Sequence, residues 1–589
     1  MTARFSELVT FALTHTADTL MTQFIPDSLS QDAPVAGPAG QLAHPAAVAQ
    51  TGRLAPAIYP VGERAWCVVG NGLSNQTFVA GEQGIIAIDS GECIEEMRDA
   101  LKLLRQYTQA PIVACIYTHF HYVNGTQALL DEVGPDHLTV YGHHLIEQNR
   151  ARFGGEIGPR SSRGLVHQFG VLLPHEGVDG LLHCGLGLAL RNAKHAPYTP
   201  GYIAAQHLIT EPVTHNIAGL QVAFTPAPSD ANDSMTLWFP DLGVCVNNLI
   251  WPALFNIYAI RGEEYRDPRE LLTGIDKIAE LQPDHLICTH GPPLSGQPVA
   301  AAIRDYRDAI AYIWDQTVRG INQGLRLSAL TERVQLPDRF KASYFTQQLY
   351  GLVEHHVRQI HAGLFGWLDE DESHIFPMPE QIRCERMVTG FGGPQAVRTQ
   401  AQEALDNGDL RWAAELSTWL VRRAETDPAD AQLLAQVMRQ MAQHTPSANV
   451  RNWCLTRALH LEGNIDLSRF HTHRFRFDEI MSAPPARYIN VLRVLVNPEC
   501  APDGNVEMAW HFAGGEQAGL VLRREVAIAT DGTAAELHIH LSHETWAEIL
   551  SGKRNLWDAE AQNLVSMVGQ RKRLVEFWQT FDLQSLHHP

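Results

Sequence analysis

Residues 111–125 read PIVACIYTHFHYVNG. The run from Pro111 to Tyr117 is continuously apolar, which predicts a strand buried on both faces, as inside a parallel sheet. Upstream, WCVVG (66–70), QTFVAG (76–81) and GIIAIDSG (84–91) read as short strands separated by turn residues. EEMRDALKLLRQYT (95–108) carries apolar residues at helical spacing. Strand, helix, strand implies a right-handed crossover, and function in such sheets gathers just past the strand ends. His119 and His121 stand there. In extended backbone, positions two apart share a side, so both imidazoles can reach one ion. Imidazole suits Zn, Fe, Mn or Ni. The same spacing recurs at His471/His473 and His538/His540, which read as alternate polar positions on a strand or loop.

Further along, HLTVYGH (137–143) precedes a Gly- and Pro-rich stretch (153–205) expected to be irregular. GLQVAFTPAP (219–228), SMTLWFP (234–240) and GVCVNNLI (243–250) read as strands of a second set. DHLICTHGPP (284–293) is another apolar strand ending in a histidine, His290. From Val299 to about Leu368 the patterning is helical, and residues 395–465 read as antiparallel helices. From about Asn464 strands and helices mix again. Residues 25–57, rich in Pro, Ala and Gln, are expected to form a loose arm, and the first 24 residues an amphipathic helix rather than a signal peptide. The expected domains are an N-terminal arm (1–56), a catalytic α/β domain (57–298), a helical region (299–462) and a C-terminal α/β domain (463–589).

A chain of 589 residues exceeds one core. Its net charge of −20 argues against nucleic acid, since a phosphate-binding face needs clustered Lys and Arg. It has no run of about 18 apolar residues, so no membrane span is expected. The nine cysteines are scattered without a CxxC pair, which fits a reducing cytoplasm.

The stretches NGLSNQTFV, THFH, GLGLAL (185–190), WFPDLGVCVNN, NIYAIRGEEYRDP and THGPP occur here in an order that resembles the alkyl sulfatases of the metallo-β-lactamase superfamily. YFTQQLYGLVEHHVRQIHAGLFGWLDEDESHIFPMPE resembles that family's helical dimerisation region, and the C-terminal segment a sterol-carrier-type domain. The resemblance implies an αββα sandwich, then a helical dimerisation region, then a sterol-carrier-like α/β domain. It also implies a homodimer.

The family's metal loop is HxHxDH, followed by two Glu and a His, and it holds two metals. Here the first two ligands fall on His119 and His121, the loop Asp on Val123 and the loop His on Asn124. The first Glu falls on Asp230, with Asp233 as the alternative if the loop is shifted. The second falls near Asn248, and the final His on His290. One position thus keeps two imidazoles and a carboxylate, while the other loses most of its donors. The implied cofactor is a single divalent ion, Zn or Fe, because a 2-His-1-carboxylate set serves both Zn hydrolysis and Fe(II) oxygen chemistry. Asn256, Tyr258 and Arg261 match the family's anion-binding segment, with Asn248 beside them. Arg266 carries less weight. Tyr122, Asn124 and His290 are the candidate catalytic groups. Three functions are expected to compete: hydrolysis of a small anionic, partly apolar ester such as an alkyl sulfate; a mononuclear Fe(II) oxygenase or lyase acting on a specialised metabolite; and a non-catalytic binding homologue.

Overall fold

The computed structural model describes residues 28–588 apart from Gly154, Leu254, Phe255 and Glu263. The amphipathic helix expected over the first 24 residues lies outside the described residues. The chain forms two compact units. One comprises the described residues up to Glu147 together with Gly164–Asp466; the other comprises Gln148–Arg163 and the chain from Leu467 on.

In the first unit, β1 (Ala57–Val61), β2 (Ala65–Val69), β3 (Gln76–Ala80), β4 (Ile85–Ile88), β5 (Ile112–Ile116), β6 (Thr139–His143) and β7 (His207–Ile209) make a seven-stranded sheet in chain order. β1 to β4 pair antiparallel and β4 to β7 pair parallel. A second sheet of six strands holds β8 (Val213–Ile217), β9 (Leu220–Pro226), β10 (Met235–Phe239), β11 (Val244–Asn247), β12 (His285–Cys288) and β13 (Leu294–Ser295). Only β11 and β12 are parallel in it.

The sheets meet face to face. Val69, Val79, Ile86 and Ile116 pack with Phe224, Leu237, Val246 and Ile287 in one core. β5 is an inner strand, and Ile112 and Ile116 are both fully buried. Each contributes about 1.5–3 kcal/mol of transfer free energy. Helices α1 (Ile94–Leu104) and α2 (Thr126–Val133) flank the first sheet. On the second, α3 (Pro268–Leu281) and α4 (Pro298–Asn322) place Leu271, Ile275, Ile303 and Ile310 against Cys245, Leu286 and Cys288. The result is an αββα sandwich. The helical region therefore shares its core with the second sheet, and α5 (Val353–Phe365) joins that core through Val357 and Ile360. The expected antiparallel helices follow as Pro394–Asp406, Leu410–Val421, Pro428–His444 and Ala448–Leu461.

The second unit is a five-stranded sheet with helices, built on the fully buried Trp510, Trp546 and Trp578. His538 and His540 alternate along the strand Leu537–Leu541, off the core face. His538 Nδ1 meets His511 Nε2 at 3.1 Å.

Two expectations are corrected. Residues 45–53 are not loose arm but an α-helix, Pro45–Arg53, capped by the His44 ring on the Ala46 N–H. Its Gln50 is buried and donates to the Gly185 carbonyl at 3.1 Å; this long-range bond overrides a composition that favours coil. The irregular stretch 153–205 contains a helix, Gly158–Gln168, whose Val166 and Gln168 are buried. Tertiary burial again outweighs local Gly and Pro content.

Candidate metal centre and active site

β5 ends at Ile116, and Tyr117 still donates to the Tyr141 carbonyl of β6 at 3.0 Å. His119 keeps extended backbone, while Phe120–Tyr122 turn into a 3₁₀ helix. The sheet strand is thus shorter than the sequence implied. Both histidines nevertheless converge, their ring centroids 4.9 Å apart and nearly perpendicular. They meet on Asp230, which follows β9 across the sandwich. Asp230 Oδ2 lies 3.2 Å from His121 Nδ1 and 3.7 Å from His119 Nε2. These three side chains form a group whose ligand atoms all lie within 4.8 Å of one another, and Asp233 is not part of it.

The surroundings position the candidate ligands. Asp89 terminates β4, parallel to β5. Its carboxylate accepts the Thr118 N–H at 2.8 Å and the Thr118 hydroxyl at 2.7 Å. With its own proton committed, that hydroxyl accepts from His119 Nδ1 at 2.9 Å. The His119 tautomer is thereby set, with a bare Nε2 lone pair. That Nε2 is fully buried and has no hydrogen-bond partner. Such an orphaned acceptor, aimed at a carboxylate, suits a cation. Burial pushes the His119 ring down to about 3, so it is neutral and able to ligate. Burial also opposes ionisation of Asp230, but the His121 hydrogen bond and the Arg266 guanidinium favour the charged form, and this carboxyl lies well below the usual range. Burial pushes Asp89 up to about 7 against its bonds from Thr118.

Asn248, expected to contact substrate, hydrogen-bonds the candidate ligand Asp230. Its Nδ2 donates to Asp230 Oδ1 at 2.6 Å, and the Ser229 and Ser234 hydroxyls lie 3.1 and 3.2 Å away. Its Oδ1 accepts from Trp251 Nε1 at 3.2 Å. The reason is local. Asn247 Oδ1 accepts the Leu249 and Ile250 N–H groups, turning the chain after β11 so that Asn248 faces Asp230. Asp230 is left to offer Oδ2 alone. Val123 is fully buried in the core, and Asn124 is held through its backbone by Gly91 and Gly201.

Around this centre lie the remaining candidates. The Tyr122 ring sits 5.1 Å from His119 and 5.6 Å from His290. Burial drives its phenol well above the ordinary range, so it is a donor. His290 Nδ1 donates to the Leu73 carbonyl at 3.1 Å, and burial lowers the ring to about 4. Asn256 is fully buried with neither side-chain polar atom hydrogen-bonded. Its carbonyl accepts from Arg266 Nη1 at 2.5 Å. Arg266 is 5% exposed and acts on Asp230 and His119, so it belongs to the site more than the sequence implied. Arg261 is half-buried; its Nη1 is 3.5 Å from the Tyr350 hydroxyl, which also accepts from Gln168 at 3.0 Å. Tyr258 is half-buried, its N–H on His356. Asp89, Thr118, Gln168 and Tyr350 were missed in the sequence. Asp89 carried a signal, an acid at the end of the strand next to β5. Tyr350, far along the chain, carried none.

The alkyl sulfatase dimerisation family matches residues 327–464. The chain is 32% identical over 528 residues to the linear primary-alkylsulfatase of Pseudomonas sp. (strain ATCC 19151), covering 86% of this chain and 98% of that protein. It is 26% identical to the alkyl/aryl-sulfatase BDS1 of Saccharomyces cerevisiae over 89% of this chain and 82% of that one. Its structure is similar to the stereoselective inverting sec-alkylsulfatase Pisa1 from Pseudomonas sp., with a TM-score of 0.82 and 23% identity over 100% of this chain and 98% of that chain.

Proposed function

Because the chain belongs to the alkylsulfatase family, with its metallo-β-lactamase-type sandwich, we propose that it hydrolyses an alkyl sulfate at one divalent ion held by His119, His121 and Asp230. The convergence of the unpartnered His119 Nε2 on Asp230 Oδ2 carries this reading. A divalent ion there supplies Lewis acidity, lowering the pKa of water beside it and drawing charge from the ester. The chain's own residues do the rest. Arg261 and Arg266 give the sulfate group its positive field, and the planar guanidinium matches two sulfate oxygens at once. Asn256 brings an unengaged buried amide, and Tyr258 lines the same segment. Tyr122, protonated, donates a hydrogen bond to the ester. His290, its Nδ1 proton spent on Leu73, keeps Nε2 as an acceptor for the proton of the attacking water. Asn124 is half-buried in the same loop. The products are an alcohol and sulfate.

The purified protein is expected to release sulfate from a linear primary alkyl sulfate, with loss of activity on chelation and recovery with Zn. Iron in place of zinc, with oxygen consumed and no sulfate released, overturns hydrolysis in favour of the oxygenase reading. No sulfate release with any ion leaves a binding homologue.

The site is built for one ion because Asn248 occupies the second side of Asp230. The triple change Val123→Asp, Asn124→His and Asn248→Glu is expected to raise metal uptake by about one equivalent. Unchanged uptake by elemental analysis means that the loop has been matched wrongly.

We also read the chain as a cytoplasmic homodimer. All nine cysteines are free thiols, eight of them buried. No helix among the described residues is long and apolar enough to cross a membrane. Within the stretch that matches the dimerisation family, Trp367 is 75% and Phe376 92% exposed, with Phe365, Ile375 and Met378 exposed nearby. Side chains of this size cluster on an open surface where a partner covers them. Trp367→Ser with Phe376→Ser is expected to give a monomer in light scattering. A dimer of unchanged affinity places the interface elsewhere.

A further inference from the structure

A second group of ligand-type side chains lies apart from the catalytic cluster, and nothing in the proposed reaction uses it. Cys93 is the N-cap residue of α1 and makes no side-chain capping bond there. Glu96 sits one turn on, and His195 comes from the short 3₁₀ turn Ala193–His195. Their sulfur, oxygen and nitrogen ligand atoms all lie within 4.8 Å of one another. The three residues are 2%, 2% and 1% exposed, so solvent does not satisfy them.

His195 supplies an independent pointer. Its Nε2 is buried without a hydrogen bond. It makes an ion-pair contact with Asp99 Oδ2 at 3.4 Å, and that carboxylate is divided among Lys194 at Oδ2 and Lys102 at Oδ1 as well. Glu96 is held rigidly. Its Oε1 accepts from Gln76 Nε2 at 2.7 Å and its Oε2 from the Glu92 N–H at 3.2 Å. Gly72 and Gly91 press so close that a Cβ on either would fall 2.1 and 2.3 Å from Oε1. The packing therefore admits this carboxylate only because glycine stands at both walls.

We propose that Cys93, Glu96 and His195 form a structural zinc site that pins the loop carrying His195 to the start of α1. A thiolate, an imidazole and a carboxylate make a mixed set that favours a borderline-soft ion over Mg²⁺ or Ca²⁺. The loop has a reason to be pinned. It runs on to Thr199, whose carbonyl accepts the Ile94 N–H at 2.9 Å, and to Gly201, whose N–H donates to the Asn124 carbonyl of the catalytic loop. The zinc holds the far end of a segment that braces the active site.

The test is zinc per chain on desalted full-length protein. The variant His119→Ala/His121→Ala empties the catalytic position and is expected to retain about one zinc. Cys93→Ser/His195→Ala is expected to lose one zinc relative to wild type. A folded His119→Ala/His121→Ala protein without zinc, or an unchanged count in Cys93→Ser/His195→Ala, overturns the proposal. If the second variant fails to fold, wild-type protein decides. Mapped alkylation of Cys93 is expected to rise at least about tenfold when a chelator removes the metal, and equal labelling with and without chelator overturns the site. The catalytic reading has its own readout, sulfate release, so the two can fail separately.

Discussion

His119→Ala is expected to lose one bound metal ion and to cut sulfate release by about 10³-fold or more, since Lewis-acid stabilisation is worth several kcal/mol. The cause is geometric. His119 Nε2 is the ligand atom with no other partner, and its ring is fully buried between β5 and Asp230. Alanine leaves His121 and Asp230 alone, a two-ligand set that holds an ion weakly. The fold should survive, because the sandwich core lies on the other side of Ile116. Far-UV circular dichroism and elemental analysis of the same sample check this. Wild-type metal content in a folded His119→Ala protein would place the centre elsewhere.

Thr118→Val is expected to weaken metal binding by about 10- to 100-fold, the usual effect of losing a partner behind a ligand. Valine keeps the shape and removes the hydroxyl that links Asp89 to His119 Nδ1 at 2.7 and 2.9 Å. The ring then loses the contact that fixes its tautomer, and the Asp89 carboxylate loses one donor. Stability should fall by about 1–3 kcal/mol for the groups left unpaired. A metal titration against a competing chelator, with thermal melting alongside, separates the two effects. Affinity within twofold of wild type would show that the relay does not orient His119.

The sandwich was largely legible because its strands announce themselves. Ile112–Ile116 is a continuous apolar run buried on both faces, and its neighbours Ile85–Ile88 and Thr139–His143 follow in order. The helix Pro45–Arg53 was not legible: its reasons, a buried Ala47 and a Gln50 bonded to Gly185, lie more than a hundred residues away. The site was legible as a set of residue types but not of directions. The sequence puts Asn248 beside the ligands, yet only the turn made by Asn247 decides that its amide faces Asp230. Tyr350 reaches Arg261 and Gln168 through tertiary packing that no local pattern announces. Arg266 differs from Arg261 chiefly in burial, which a single sequence does not display.

The two candidate metal-binding rings leave the sheet within five residues of the end of an inner strand, and the acid that meets them hangs from the opposing layer. An ion at that point rivets one layer to the other. Its binding adds to a cohesion that the apolar core already supplies, so the melting temperature is expected to climb with free metal concentration as the position fills.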